Sequence, residues 1–197
     1  MKRAVKKGLI FVISGPSGSG KTTILETVVK EKPLRKKVMR SISLTTRPKR
    51  SKEVDKRDYF FVTDREFTDL RRARKILEWT KYLGYYYGTP RDFVDAQLEK
   101  GRHILLCLDI KGANKIKRLY GSRAVRIFVM PPSLDVLFHR IQGRCHRTCG
   151  EEIRRRVKLA EKEIEAASEY DFKLVNRDLG KVVKELSGIV LKKITNK

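Results

Sequence analysis

The sequence is short of cysteine, of acid and of long apolar runs, and each shortage removes a class of protein. Three cysteines in 197 residues, Cys107, Cys145 and Cys149, do not build a disulfide framework, which points to a reducing cytoplasm. No apolar stretch approaches the roughly twenty residues that cross a bilayer, so no membrane partner is expected. The start MKRAVKKGLIFVIS imitates a secretory signal, but its apolar run passes straight into a glycine-rich loop that cleavage would destroy. Aromatics are scarce at 8% and are not regularly interleaved with the basic residues, as a single-strand nucleic-acid platform requires. Acid is the largest deficit: 23 Asp and Glu stand against 47 Lys and Arg, a formal net charge of +24. Such a field attracts polyanions by counterion release, so a nucleic-acid-dependent ATPase is one reading. The cations run from Lys2 and Arg3 to Lys197 rather than gathering in one tail. That favours a generally basic surface with weak, salt-sensitive binding and no specific nucleic-acid partner.

Cys145 and Cys149, with His139 and His146 nearby, raise the question of zinc. Their spacing matches no common paired-cysteine site, and four ligands in so short a stretch need a tight backbone reversal, so free thiols are expected. The length suits one catalytic unit with small appendages.

What the chain does have is a glycine-rich loop in a telling setting. SGPSGSGKTT, residues 14–23, follows GLIFVI and precedes ILETVVKEK, whose apolar residues recur at helical spacing: strand, turn, helix. The spacing G-x-x-x-x-G-K-T runs through Gly15, Pro16, Ser17, Gly18, Ser19, Gly20, Lys21 and Thr22, with Thr23 following. Glycines let successive N–H groups curl around a polyphosphate, and the helix adds its positive end at the same point. Lys21 is expected to reach the β and γ phosphates of ATP, and the Thr22 hydroxyl to ligate a magnesium ion bridging them.

Downstream, KVMRSISLTTRPKRSKEVDKRDYFFVT reads as strand, basic turn broken at Pro48, and strand. DREFTDLRRARKILEWT reads as one helix with Asp64 as N-cap and Phe67, Leu70 and Ala73 on one face; KYLGYYYGT reads as a short aromatic strand and turn. RDFVDAQLEKG is a helix stopped at Gly101, and HILLCLDI a buried strand ending in a carboxylate. Then follow a helix (KGANKIKRLYG), a strand (AVRIFVMPP) and a helix capped by Ser133. Residues 144–156 are polar and Arg-rich and suit a mobile flap. EEIRRRVKLAEKEIEAAS is a long helix, DFKLVNR a last strand and DLGKVVKELSGIVLKKI a closing amphipathic helix. This alternation predicts an α/β fold, a doubly wound and mainly parallel sheet with ligands at the carboxyl ends of its strands.

The loop alone does not choose between ATPase, GTPase and kinase. SISLTTRPKR gathers Ser43, Thr45, Thr46, Arg47 and Arg50, and DYFF adds the Tyr59 hydroxyl. Two arginines three residues apart suit a phosphate monoester, though a solvated basic turn has the same composition. In order come GPSGSGKTT, S-x-S-x-T-T-R-x-x-R, D-Y-x-F, L-E-W, Y-Y-G-T, L-D-I-x-G, PPS, GR and VNRDL. From Gly8 to Leu186 that set resembles the guanylate kinase family.

The resemblance implies a P-loop core with a GMP-binding flap at about 42–91 and a lid at about 140–157, all within one domain. It implies that Ser43, Arg47, Arg50, Tyr59 and Tyr87 hold the phosphate of GMP while Glu78, Thr89 and Asp109 face the guanine. Guanine offers N1–H and the N2 amino group as adjacent donors, which a carboxylate accepts as a pair; adenine presents an acceptor at N1, leaving that carboxylate unpaired. Glu78 could equally be an exposed acid at a helix end beside a core Trp79, Tyr85, Tyr86 and Tyr87 could be core aromatics, and Asp109 could serve magnesium. Arg144 and Arg156 match lid arginines that reach over the transferring group, and Asn176 matches an adenine-side contact. Three departures stand out: Cys107 where relatives usually carry a second acid two residues before Asp109, Lys111 where they often carry Gln, and a longer, more basic CHRTCGEE, which makes Arg155 a rival to Arg156. The expected activity is magnesium-dependent transfer of the ATP γ-phosphoryl group to GMP. A non-catalytic binding module of the same fold and a sugar-phosphate kinase are the alternatives.

Overall fold

A computed structural model describes residues 6–51, 53–82, 84–143 and 150–196, with only the backbone described at 150–153. Its centre is β1 (Ile10–Ser14), IFVIS, buried at every position as an interior parallel strand must be. Parallel to it run β2 (Val38–Arg40), β7 (His103–Cys107), β8 (Ala124–Met130) and β9 (Phe172–Val175), in the order β2-β7-β1-β8-β9. The sheet separates two cores by the two-residue period of its strands. Phe11 and Ile13 face α1 (Lys21–Val28) and α7 (Leu179–Thr195), through Ile24, Leu25, Val182 and Leu186. Ile10 and Val12 face α3 (Arg91–Glu99) and α4 (Ile110–Tyr120), through Val94, Leu98, Ala113 and Ile116. Fully burying each such side chain stabilises by about 1.5–3 kcal/mol. The doubly wound parallel core is as the sequence predicts.

A second sheet is formed by β3 (Leu44–Thr45), β4 (Phe60–Phe61), β5 (Ile76–Tyr82) and β6 (Tyr85–Pro90), in the order β4-β3-β6-β5. One face is covered by α2 (Asp64–Arg72), whose buried Phe67 stacks on Tyr86 at 5.1 Å between ring centroids. Here the structure corrects the sequence reading, because the helix expected across 64–80 ends at Arg72. Arg74 takes a left-handed conformation at φ 57°, its N–H donating to the Arg71 carbonyl while the Lys75 N–H reaches back to Leu70. That pair of bonds is a Schellman ending, made without the glycine that normally signals it. The chain then runs straight into β5, so Glu78 and Trp79 lie on a strand and not at a helix end.

The start of α2 also differs. Thr63, not Asp64, is its N-cap: the hydroxyl accepts from the Glu66 N–H at 3.2 Å and the Glu66 carboxylate accepts from the Thr63 N–H at 2.7 Å. The last helices are α5 (Leu134–Gln142), capped by Ser133 as expected, and α6 (Gly150–Glu165). Of the flap expected at 144–156, residues 144–149 lie outside the described residues and the remainder is the first part of α6. Thr63→Ala removes one half of the reciprocal cap and is expected to cost about 1 kcal/mol, or roughly 2–4 °C in melting temperature, with Thr63→Ser close to neutral. Thermal unfolding by circular dichroism measures it, and an unshifted Thr63→Ala midpoint contradicts the assignment.

Candidate active site

At the carboxyl end of β1 the chain turns through the glycine loop into α1. Gly20 is the residue before the helix at φ 92°, and a Cβ there would stand 2.3 Å from the Asn176 side-chain nitrogen. Gly15, at φ 145°, lies so close to Val129 that a Cβ would meet its carbonyl oxygen at 2.3 Å. Both positions exclude a side chain. No side chain caps α1, whereas Thr63, Asp109, Ser133 and Asp178 cap α2, α4, α5 and α7. The first N–H groups of α1 therefore point at a small cavity lined by Ser17, Gly18, Gly20, Lys21, Thr22 and Thr23. Anionic oxygens entering it meet backbone N–H donors at the positive end of the helix.

Lys21 folds back over this loop, its ammonium donating to the carbonyls of Gly15 at 2.6 Å and Pro16 at 2.8 Å. Ser19 is buried, and its carbonyl accepts the Asn176 side-chain N–H at 2.8 Å from the loop that follows β9. Asn176, read from the sequence as an adenine-side contact, thus holds the phosphate loop in place. Its own backbone N–H is fixed to Met130 at 2.9 Å.

Of the residues expected to hold the acceptor phosphate, the second sheet brings Arg47, Tyr59 and Tyr87 together. Arg47 lies over the Tyr59 ring at 5.5 Å, and Tyr59 meets Tyr87 edge-on at 6.1 Å between centroids. The Ser43 carbonyl accepts from the Phe60 N–H at 2.9 Å, joining β3 to β4 beside Tyr59. A residue the sequence reading missed organises the arginines: Glu53 accepts from the Arg47 guanidinium at 2.7 Å and from the Arg50 backbone N–H at 2.9 Å. The Arg47 hydrogen bond, then that of Arg50, holds the Glu53 carboxyl below its usual range, so it stays ionised while the Arg50 side chain remains exposed. Its signal was an acid in a basic turn, six residues after Arg47.

Across the pocket lie the base-side candidates. Glu78 on β5 is 5% exposed and Thr89 on β6 fully buried, and the Thr89 hydroxyl donates to Glu78 at 2.5 Å. Asp109 begins α4, its carboxylate accepting from the Gly112 N–H at 2.7 Å, so it is a helix cap and not a strand end. Gly112 separates the two acids: a Cβ there would sit 3.0 Å from one Glu78 oxygen and 3.2 Å from one of Asp109. Burial raises the Glu78 carboxyl to about 7, Thr89 opposing the rise and Asp109 adding to it.

Arg156 is half-buried on α6, and Arg144 lies outside the described residues, as do Cys145, His146 and Cys149 of the zinc question. Among the described residues no group of three or more His, Cys, Asp or Glu could hold a metal, and His139 is exposed on α5. On the α6 stripe with Arg156 and the buried Ala160 stands Glu163, which sequence reasoning passed over as a solvated helix charge. It is half-buried, its carboxyl raised by burial and by Asp109 against the opposing charge of Lys21. Cys107 is paired across the sheet with Ile13, and burial pushes its thiol up against the opposing charges of Lys21 and Arg40. A neutral thiol is a poor ligand for magnesium. Thr22, an exposed hydroxyl on the open turn of α1, suits that hard cation, whose other ligands would be phosphate oxygens and water.

A sequence model described as guanylate kinase matches residues 7–193. The chain belongs to the guanylate kinase family. It is 38% identical over 195 residues to a guanylate kinase of Wolbachia pipientis, covering 97% of this chain and 95% of that one. It is 41% identical over 187 residues to one of Caldanaerobacter subterraneus, covering 94% and 88%. The crystal structure of guanylate kinase from Anaplasma phagocytophilum superposes with a TM-score of 0.73 at 31% identity, covering 95% of this chain and 87% of that one.

Because the folded Glu78 carboxyl titrates near 7 against 4.5 in the unfolded chain, the folded state binds the extra proton between those values. The contribution of neutral Glu78 to stability is therefore complete below pH 4.5 and lost as pH rises through about 7. Glu78→Gln, which mimics the neutral acid, is expected to melt higher than the parent at pH 8 and alongside it at pH 5. Equal differences at both pH values would mean that Glu78 titrates normally.

Proposed function

We propose that the enzyme transfers the γ-phosphoryl group of ATP to GMP, giving ADP and GDP. The observation that carries this reading is the buried Glu78–Thr89 pair of the second sheet, set across Gly112 from Asp109, which follows a strand paired with the one that leads into the glycine loop. A carboxylate sunk in that pocket needs two aligned donors, and the guanine N1–H and N2 amino group supply them. With guanine bound, those donors and the Thr89 hydroxyl favour the ionised form, so the base itself draws the Glu78 proton off.

The remaining residues have consistent roles. Arg47 and Arg50, aimed by Glu53, hold the phosphate of GMP with Ser43, Tyr59 and Tyr87. Residues 15–23 hold the ATP phosphates, with Asn176 fixing the loop and keeping an acceptor oxygen for the adenine side. Lys21 leaves the loop carbonyls for the β and γ phosphates, and Arg144 and Arg156 neutralise charge on the transferring group. Thr22 would hold magnesium, which would supply positive charge to offset that of the phosphates. No general base is required, because charge placement and alignment dominate this chemistry. We further read residues 42–91 as the acceptor flap and about 140–157 as the lid of a single domain, whose closure excludes water. We read the reducing cytoplasm, suited to its few cysteines, as its compartment.

ADP formation with ATP and magnesium, comparing GMP, AMP, CMP, UMP and no acceptor, tests the assignment. Turnover is expected with GMP alone. Lys21→Ala should lower kcat by roughly 10²–10³-fold while GMP binding measured by calorimetry stays near normal. Glu78→Gln should lower kcat/KM for GMP by roughly 10–100-fold, through the loss of a charged hydrogen-bond acceptor. Failure with every monophosphate in folded protein would shift the assignment to a binding module or a sugar-phosphate kinase.

A further inference from the structure

The nucleotide cleft does not account for a net charge of +24, and one part of that excess is organised far more than a solvated surface requires. Arg126 lies in the middle of β8, opposite Val12 of β1, where its neighbours Val125 and Ile127 are buried. A charge there is costly, yet its half-buried guanidinium is held by neutral groups. It donates to the Asn114 side-chain oxygen at 2.6 Å and to the Glu169 carbonyl, and lies 5.2 Å from the centre of the Tyr170 ring. Its Nε is buried without a partner, and among the described residues it forms no ion pair within 4 Å. Asp171, the nearby acid, is occupied by the Arg126 backbone N–H at 2.7 Å and by Lys117 at 3.5 Å.

This guanidinium floors a groove of about 630 Å³ lined by Lys111, Asn114, Lys117, Arg118, Arg126 and Glu169, none of them assigned to the nucleotide cleft. Four cations face one carboxylate. Lys111, Asn114 and Lys117 or Arg118 recur at three- and four-residue steps along one face of α4, and Lys111 to Arg118 spans about 10 Å of helix. One orthophosphate cannot bridge that distance, whereas several phosphates in a row can. The fixed guanidinium and Lys117, held by the Ala124 carbonyl at 2.9 Å, supply the preorganised contacts, and the exposed Lys111 and Arg118 the adaptable ones.

We propose that this groove is a second anion site, specific for linked phosphates and separate from the nucleotide cleft. One wall is α4, whose first turn carries Asp109 and Gly112 beside Glu78; the other is the short 3-10 turn at 166–169 that continues α6. The linked phosphates could belong to a free polyphosphate or to a nucleic-acid backbone.

The test is calorimetric titration of inorganic tripolyphosphate into the full chain at low salt, with the cleft filled by adenosine and guanosine joined through five phosphates. One equivalent is expected to bind, more tightly than orthophosphate. The double variant Lys111→Glu/Arg118→Glu, both exposed, should weaken binding about tenfold or more, whereas Lys36→Glu/Lys37→Glu, beyond the opposite edge of the sheet, should leave it unchanged. Circular dichroism melts of both variants establish that each is folded. Competition by a short oligothymidylate identifies a nucleic-acid backbone as the source, and its absence identifies free polyphosphate. No binding, or equal weakening in both double variants, overturns the site and leaves only the general field of a basic protein.

Discussion

The site depends on the parallel pairing of β1 with β7 and β8. Parallel strands deliver their carboxyl ends to one edge, so the register that sets Ile13 beside Cys107 also sets the glycine loop beside the turn into α4. From that alignment follow the open turn of α1 at Thr22, the cap at Asp109 and the neighbourhood of Glu78 across Gly112. Asn176 closes the arrangement from β9 by tying Ser19 to the far edge of the sheet. A one-residue slip in β1 would invert the two cores and withdraw the loop together.

The parts legible in the sequence were those that local rules decide. The strand-loop-helix order fixed Gly15 to Thr22, and the alternation of apolar runs and helices yielded the parallel core. The ending of α2 was not legible, because Arg74 adopts the left-handed conformation without a glycine, and helical spacing continued past it on paper. Thr63 lost the cap assignment to Asp64 because both residue types cap well, and only Glu66 reaching back to the Thr63 N–H separates them. The hold of Asn176 on Ser19 was not legible either: its partner is 157 residues away, and no local pattern encodes that. Glu53 and Glu163 were hidden for the same reason, since each looks like a solvated acid until the fold supplies its neighbours.

Charge is distributed unevenly about the two substrate sites. On the proposed phosphate side positive groups outnumber acids, and Glu53 holds Arg47 while the loop carbonyls hold Lys21. Around Gly112 the order reverses, with Glu78 and Asp109 close together and burial raising the Glu78 carboxyl. This opposition suits a ligand that is anionic at one end and a hydrogen-bond donor at the other. It also disfavours a reversed ligand, whose phosphate would meet two carboxylates.

The raised Glu78 carboxyl is what the proposed selectivity requires of the free protein. A pocket that left the acid solvated would keep it ionised at neutral pH, but water would then satisfy its oxygens and the wrong base would forfeit little. Burial between β5, β6 and α4 withdraws that alternative, so an incoming base must supply the donors itself. Some stability near neutral pH is surrendered in exchange, because the folded chain must either protonate Glu78 or bury its charge. Thr89 limits that loss by donating to whichever form is present, and its own complete burial keeps water from taking its place.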